Sequence, residues 1–127
     1  MNILVDSSVW VDYFRGGDKS EVLNQYIDEN LICINQLILS ELVPALKIRR
    51  QNKLITLLNE ITKIPLNINW GKIINYQTIC LKNGINKIGI PDLIIVDNAI
   101  ENDLILFTLD KHFKLISEHI DIKLTGF

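Results

Sequence analysis

The chain has little of what marks a secreted or thiol-based protein. Its two cysteines, Cys33 and Cys80, lie among aliphatic neighbours with no metal-ligand spacing. That pattern excludes a disulfide framework and a zinc–thiolate site, and reads as two buried free thiols. Histidine is equally scarce, at two residues. No Ser–His–Asp order and no glycine-rich phosphate loop can be traced. With six glycines and three prolines there is no linker, repeat or low-complexity tract. No apolar run approaches the roughly 18–20 residues of a membrane span, and no signal-peptide pattern opens the chain, so a cytoplasmic protein is expected. Neither sign of charge dominates: 13 basic against 15 acidic residues give a net charge of −2. A globally basic nucleic-acid binder is thereby excluded, while a local basic rim around an acidic site is not.

What is present is an ordinary globular composition, 48% hydrophobic and 22% charged, in 127 residues. A single domain over 1–127 is expected, long enough to bury a core. Short β-type runs alternate with helical patterns, which predicts an α/β sandwich around a mostly parallel sheet. Strands are expected at 2–6, 31–34, 64–66, 104–108 and about 121–125. Helices are expected at 7–15 with Ser7-Ser8 as the N-cap, 18–29, 36–50 capped by Asn35, 51–61, 69–83, 91–102 and 111–116. The polar segment 83–89 reads as a loop. The helix over 69–83 runs through Trp70, Ile73, Ile74, Gln77 and Leu81 and is stopped by Gly84.

Against this pattern four carboxylates stand out. Asp6 closes the first strand and Asp110 follows the fourth, the ends where ligands collect in open α/β sheets. Glu41 falls in the apolar stretch Leu37–Val43 and reads as part of the inner stripe of its helix, with Leu37, Ile38, Leu42 and Ala45. No basic residue shares its turn. Asp92 follows Pro91 in the first turn of its helix, where the macrodipole favours negative charge. Carboxylates are expensive to bury without a partner, and four converging on one point repel unless a cation neutralises them. Hard oxygen donors suit Mg²⁺ or Mn²⁺, ions that stabilise charge in phosphoryl transfer. The pattern suggests a metal-dependent phosphodiesterase.

Each acid also has a structural reading: Asp6, Asp92 and Asp110 as helix or turn formers, Glu41 as half of a salt bridge. Asp97 lies five residues from Asp92, which turns it roughly 140° away around the helix, toward a boundary face with Leu93 and Glu101. His112 and His119 read as surface or capping residues. Pro44 removes the N–H that would bond the Ser40 carbonyl, so a kink is expected in the helix that carries Glu41.

The segment Val5-Asp6-Ser7-Ser8-Val9-Trp10-Val11-Asp12-Tyr13-Phe14-Arg15-Gly16 resembles the opening motif of VapC-type toxins of the PIN-domain ribonucleases. Ser40-Glu41-Leu42, Pro91-Asp92-Leu93-Ile94-Ile95 and Thr108-Leu109-Asp110-Lys111-His112-Phe113 resemble the second, third and fourth motifs. Asp92 and Asp110 stand 18 residues apart, as such proteins have them. The resemblance covers essentially the whole chain and implies a PIN-like three-layer sandwich. It implies Asp6, Glu41, Asp92 and Asp110 as catalytic and metal-binding acids, with Thr108 supporting Asp110 and Ser7 beside Asp6. It further implies the toxin of a type II toxin–antitoxin system: a Mg²⁺- (or Mn²⁺-) dependent endoribonuclease acting on RNA, often transfer RNA, paired as a homodimer and silenced by a cognate antitoxin. An antitoxin helix is expected against an exposed patch of Trp10, Tyr13, Phe14 and Val43.

Three other readings compete. A phosphoacceptor receiver needs an aspartate near residues 50–60, and none is there. A non-catalytic PIN-like binding module would be expected to have lost some of the acids. A metal-dependent DNA nuclease differs in substrate alone and would be separated by matched RNA and DNA hairpins.

Overall fold

In a computed structural model, which describes residues 2–127, five strands form one sheet: β1 (Ile3–Val5), β2 (Ile32–Ile34), β3 (Thr62–Lys63), β4 (Ile105–Phe107) and β5 (Lys123–Thr125). All pairings are parallel and the spatial order is β3-β2-β1-β4-β5. The helices are α1 (Ser7–Phe14), α2 (Ser20–Asp28), α3 (Gln36–Ile48), α4 (Asn52–Glu60), α5 (Trp70–Lys82), α6 (Ile90–Glu101) and α7 (Lys111–Ser117). They flank the sheet in a three-layer α/β sandwich. From β1 the chain first moves one way, to β2 and β3, then crosses back to β4 and β5. With right-handed crossovers such a reversal puts the two sets of helices on opposite faces. Their packing agrees: α1 contacts α2 and α3, α3 contacts α4, and α5 contacts α6.

The central strands are apolar because both faces are covered. Leu4, Val5, Cys33, Ile34 and Leu106 are fully inaccessible to solvent. Both cysteines are buried and free, and burial pushes the Cys33 thiol up to about 11, which leaves it inert as a nucleophile at neutral pH. Asn35 caps α3 as its position predicts: its Oδ1 accepts from the Ile38 amide at 2.9 Å. Its Nδ2 donates to Asn98 Oδ1, and Asn98 Nδ2 donates to the Pro65 carbonyl, so buried amides tie β2, α6 and the β3–α5 loop together. Helix α3 runs unbroken through Pro44. Ser40 and Pro44 lie on its exposed face, where water can satisfy the freed carbonyl.

Several expectations need correction. The third strand is Thr62–Lys63 rather than 64–66. The Ile64 amide adds one more bond to Ile34, and Pro65, without an N–H, ends the ladder. Trp10 is fully buried in the core, with Tyr13 and Phe14 around its ring, so it belongs to no exposed patch. On α5 the buried positions are Ile73 and Cys80. Trp70, Ile74 and Leu81 are more than half exposed.

Candidate active site

The sheet's order reverses around β1, which has β2 on one side and β4 on the other. Ligand sites of open α/β sheets lie at the carboxyl ends of strands at such a switch point. Asp6 is the first residue beyond β1, and its amide donates to the Phe107 carbonyl at the end of β4. That bond sets Asp6 beside Thr108. Asp6 occupies the N-cap position of α1, yet its carboxylate caps nothing. Its Oδ2 accepts instead from Ser8 Oγ at 2.8 Å and from Thr108 Oγ1 at 2.9 Å. Each hydroxyl has one proton, and both protons point at the same oxygen. Oδ1 accepts no hydrogen bond among the described residues, which leaves one face of a buried carboxylate open to a cation.

Thr108 serves two acids at once. Besides donating to Asp6, its Oγ1 accepts from the Asp110 amide at 3.0 Å, and Ser8 Oγ accepts from the Leu109 amide at 3.0 Å. The turn after β4 is thus held by the hydroxyls that orient Asp6. The support expected of Ser7 comes from Ser8, since Ser7 forms no side-chain hydrogen bond among the described residues. Only the residue two beyond Asp6 reaches both Asp6 and the neighbouring strand. Asp110 is the N-cap of α7: its Oδ1 accepts from the His112 amide at 2.9 Å and lies 3.1 Å from His112 Nδ1. The capping role weighed for Asp110 is therefore real, and it leaves Oδ2 free. His112, passed over as a surface or capping residue, stands at the site; its spacing of two from Asp110 was the available signal.

Asp92 is half-buried at the third position of α6, from which a carboxylate can reach back to the start of the helix. Burial raises its pKa, and the charges of Asp110 and Asp6 add to that rise. The Gly89 backbone and His112 work the other way. Glu41 is displaced from its expected place. The buried stripe of α3 is Ile38, Leu39, Leu42 and Leu46, while Glu41 and Ala45 are exposed. At about 100° per residue, Glu41 sits roughly 115° from the centre of that stripe. It opens instead into a groove of about 260 Å³ between α1, α3 and α4, lined by Val11, Phe14, Leu42, Leu46, Arg15 and Arg49 among others. Partial burial raises its pKa, and the charges of Asp6 and Asp92 raise it further.

The four acids are therefore electrostatic neighbours: Glu41 feels Asp6 and Asp92, and Asp92 feels Asp6 and Asp110. No lysine or arginine is ion-paired with Glu41 or Asp92: the ion pairs among the described residues are Lys72–Glu101, Lys123–Asp103 and His112–Asp110. Asp97 stays out of the cluster. It is buried against α5 rather than on a boundary face, and accepts from Tyr76 Oη at 3.4 Å. Burial raises its pKa, while Lys72 lowers it.

Among the described residues, no three acidic, histidine or cysteine side chains stand close enough together to hold an ion as they are. The donor chemistry nonetheless fits a hard divalent cation: carboxylate oxygens, one of them open on a clamped side chain, that oppose one another's charge and have no lysine or arginine ion-paired to them.

The chain matches the model of the PIN domain over residues 3–118, and it belongs to that family. No curated protein matches it by sequence. Among solved structures it is similar to VapBC2 from Rickettsia felis bound to a DNA fragment from their promoter, with 21% identity and a TM-score of 0.80, covering 100% of this chain and 99% of that one. DNA-bound VapBC from Salmonella typhimurium aligns with 14% identity and a TM-score of 0.79, over 98% and 97% of the chains. VapBC-1 from nontypeable Haemophilus influenzae aligns with 18% identity and a TM-score of 0.76, over 98% and 97%. The fold is that of the VapC proteins, as the four sequence motifs suggest.

Proposed function

We infer that this chain is the toxin of a VapBC-type pair, a metal-dependent endoribonuclease whose site is Asp6, Glu41, Asp92 and Asp110. What supports this reading is that Asp6 and Asp110, beyond the ends of β1 and β4, share the Thr108 hydroxyl, that Asp92 and Glu41 lie within electrostatic reach of Asp6, and that, among the described residues, no lysine or arginine is ion-paired with any of the four. A divalent ion, Mg²⁺ or Mn²⁺, would supply positive charge against the anionic scissile phosphate and make nearby water more acidic. Asp6, Asp92 and Asp110 are the residues that would hold it. Asp6 is oriented by Ser8 and Thr108, and Asp110 by its capping bonds, so these two carboxylates are held in place before an ion arrives. Glu41 faces solvent at the mouth of the groove, and its raised pKa suits it to take a proton from the attacking water. Water as nucleophile leaves a 5′-phosphate and a 3′-hydroxyl.

Two surfaces extend the reading. The groove beside Glu41 has an apolar floor that includes Val11, Phe14 and Leu54, and it suits an amphipathic antitoxin helix whose basic side chain reaches the acids. This replaces the patch centred on Trp10. The exposed stripe Trp70, Ile74 and Leu81 on α5 suits pairing of two copies through apolar helix faces. Among the described residues no helix is long and apolar enough to cross a membrane.

The test uses the chain freed of any partner, with matched RNA and DNA hairpins. RNA should be cut with Mg²⁺ or Mn²⁺, cutting should stop in EDTA, and the products should carry 5′-phosphate. Undiminished cleavage in EDTA, or 2′,3′-cyclic phosphate ends, rules the mechanism out. Cleavage of the DNA hairpin alone makes the chain a DNA nuclease. Co-expression with a small neighbouring gene should give a stable complex without nuclease activity.

A further inference from the structure

The end of the chain packs where the site is organised. Phe107 and Thr125 are partners in the β4–β5 ladder, and the amide of fully buried Thr108 donates to the Thr125 carbonyl at 3.1 Å. Gly126 follows at φ +117°, a conformation open to glycine and strained for other residues. A β-carbon at that position would overlap the Thr108 carbonyl oxygen and come within 3.1 Å of Phe107 Cδ1. Phe127 then lies beneath Lys114, whose Nζ is 5.5 Å from the ring centroid. Lys114 belongs to α7, the helix that Asp110 caps. The last three residues therefore grip the segment carrying Asp110 from both sides: Thr108 before it and α7 after it.

We propose that Thr125 is a positioning element of the site, acting through Thr108 on Asp6 and Asp110, with Gly126 needed only because no β-carbon fits beside the Thr108 carbonyl. The route is short and covalently defined. Thr125 fixes the backbone of Thr108, and the position of that backbone sets Oγ1, which donates to Asp6 Oδ2 and accepts from the Asp110 amide. Displacing the Thr108 carbonyl breaks both links together. Thr108 is inaccessible to solvent, out of reach of a bound RNA, so the consequence falls on turnover rather than on RNA binding. That catalytic consequence rests on the nuclease reading above; the mechanical link does not.

The test compares wild type with Gly126→Ala as full chains, using structured RNA with Mg²⁺ and amide hydrogen exchange by NMR. Gly126→Ala should lower kcat by at least about 10-fold with KM for RNA within about 2-fold. It should also speed exchange at the Thr108 amide by about 10-fold while Leu4 and Val5 in β1 are unchanged. A wild-type kcat, or a loss confined to KM, overturns the proposal. Should Gly126→Ala fail to fold, two truncations decide. A chain ending at Thr125 keeps a carboxyl-terminal oxygen for Thr108 and carries no clash, so it should hold at least about half of kcat, whereas one ending at Leu124 should lose most of it. Equal behaviour of the two truncations overturns the proposal. A wild-type chain that cuts no RNA, while its Thr108 amide responds to Gly126→Ala as described, overturns the nuclease reading and supports the clamp.

Discussion

Replacing Thr108 with valine keeps the shape of the side chain and removes its hydroxyl. The residue is fully buried, so the space is unchanged and the effect is one of hydrogen bonding alone. Asp6 Oδ2 loses one of its two donors, and a hydrogen bond to a charged group contributes about 1.5–3 kcal/mol. The Asp110 amide loses its acceptor, which costs about 1 kcal/mol more, reduced where water reaches the half-buried turn. Thr108→Val should therefore destabilise the chain by roughly 2–4 kcal/mol, a fall in melting temperature of roughly 10 °C for a domain of this size. Ser8 keeps donating to Asp6, so the carboxylate stays in place but gains freedom to rotate. Turnover should fall by about 10²-fold, the cost of a slightly misplaced reacting group. Chemical denaturation and single-turnover cleavage read the two effects separately. A stability change below about 0.5 kcal/mol with unaltered cleavage would refute the claim that Thr108 organises Asp6 and Asp110.

Three further outcomes follow from the same electrostatics. Asp92→Asn should abolish cleavage and leave the metal-free melting temperature level or higher, because it removes a carboxylate whose charged form burial and its acidic neighbours oppose; unfolding would show the residue to be structural. Metal-free wild type should gain stability as pH falls from neutral. Glu41 and Asp92 have raised folded pKa values, so the folded state binds extra protons between the ordinary values of 4.5 and 3.8 and those raised values. Their stabilising effect is full below the ordinary values and lost as pH rises through the raised ones, and saturating Mg²⁺ should flatten the dependence. Asp97→Asn should keep most activity, since its carboxylate is spent on Tyr76 and α5; complete loss would tie it to the site.

The parts of this fold that were legible in the sequence are those where local chemistry has one solution. Asn35 had to cap a helix that begins beside it, and Gly84, with φ +75°, had to end α5. Asp6 and Asp110 sat visibly at the ends of apolar runs, where strand ends were expected. The phase of α3 was not legible. Leu37, Ile38, Leu39, Leu42 and Val43 surround Glu41 on nearly every side, so periodicity alone admitted both an inner and a flanking position. The choice between Ser7 and Ser8 was made by Thr108 and Leu109, a hundred residues away. Trp70, Ile74 and Leu81 mimic a core stripe because an apolar face looks the same in sequence whether this chain or another covers it. Asp97 was turned correctly away from Asp92, but its burial depended on Tyr76, which only the packing of α5 on α6 brings near.

The central claim is that Asp6, Asp92 and Asp110 hold the ion, with Glu41 beside them and no other acid taking part. Mn²⁺ titrated into isotope-labelled chain broadens NMR signals near where it binds. Sub-stoichiometric Mn²⁺ should erase the signals of Asp6, Glu41, Asp92 and Asp110 first, spare Asp97 and Asp103, and do neither in Asp92→Asn at the same concentration. Broadening centred on Asp97 and Glu101, or spread evenly over the acidic surface, would contradict the account.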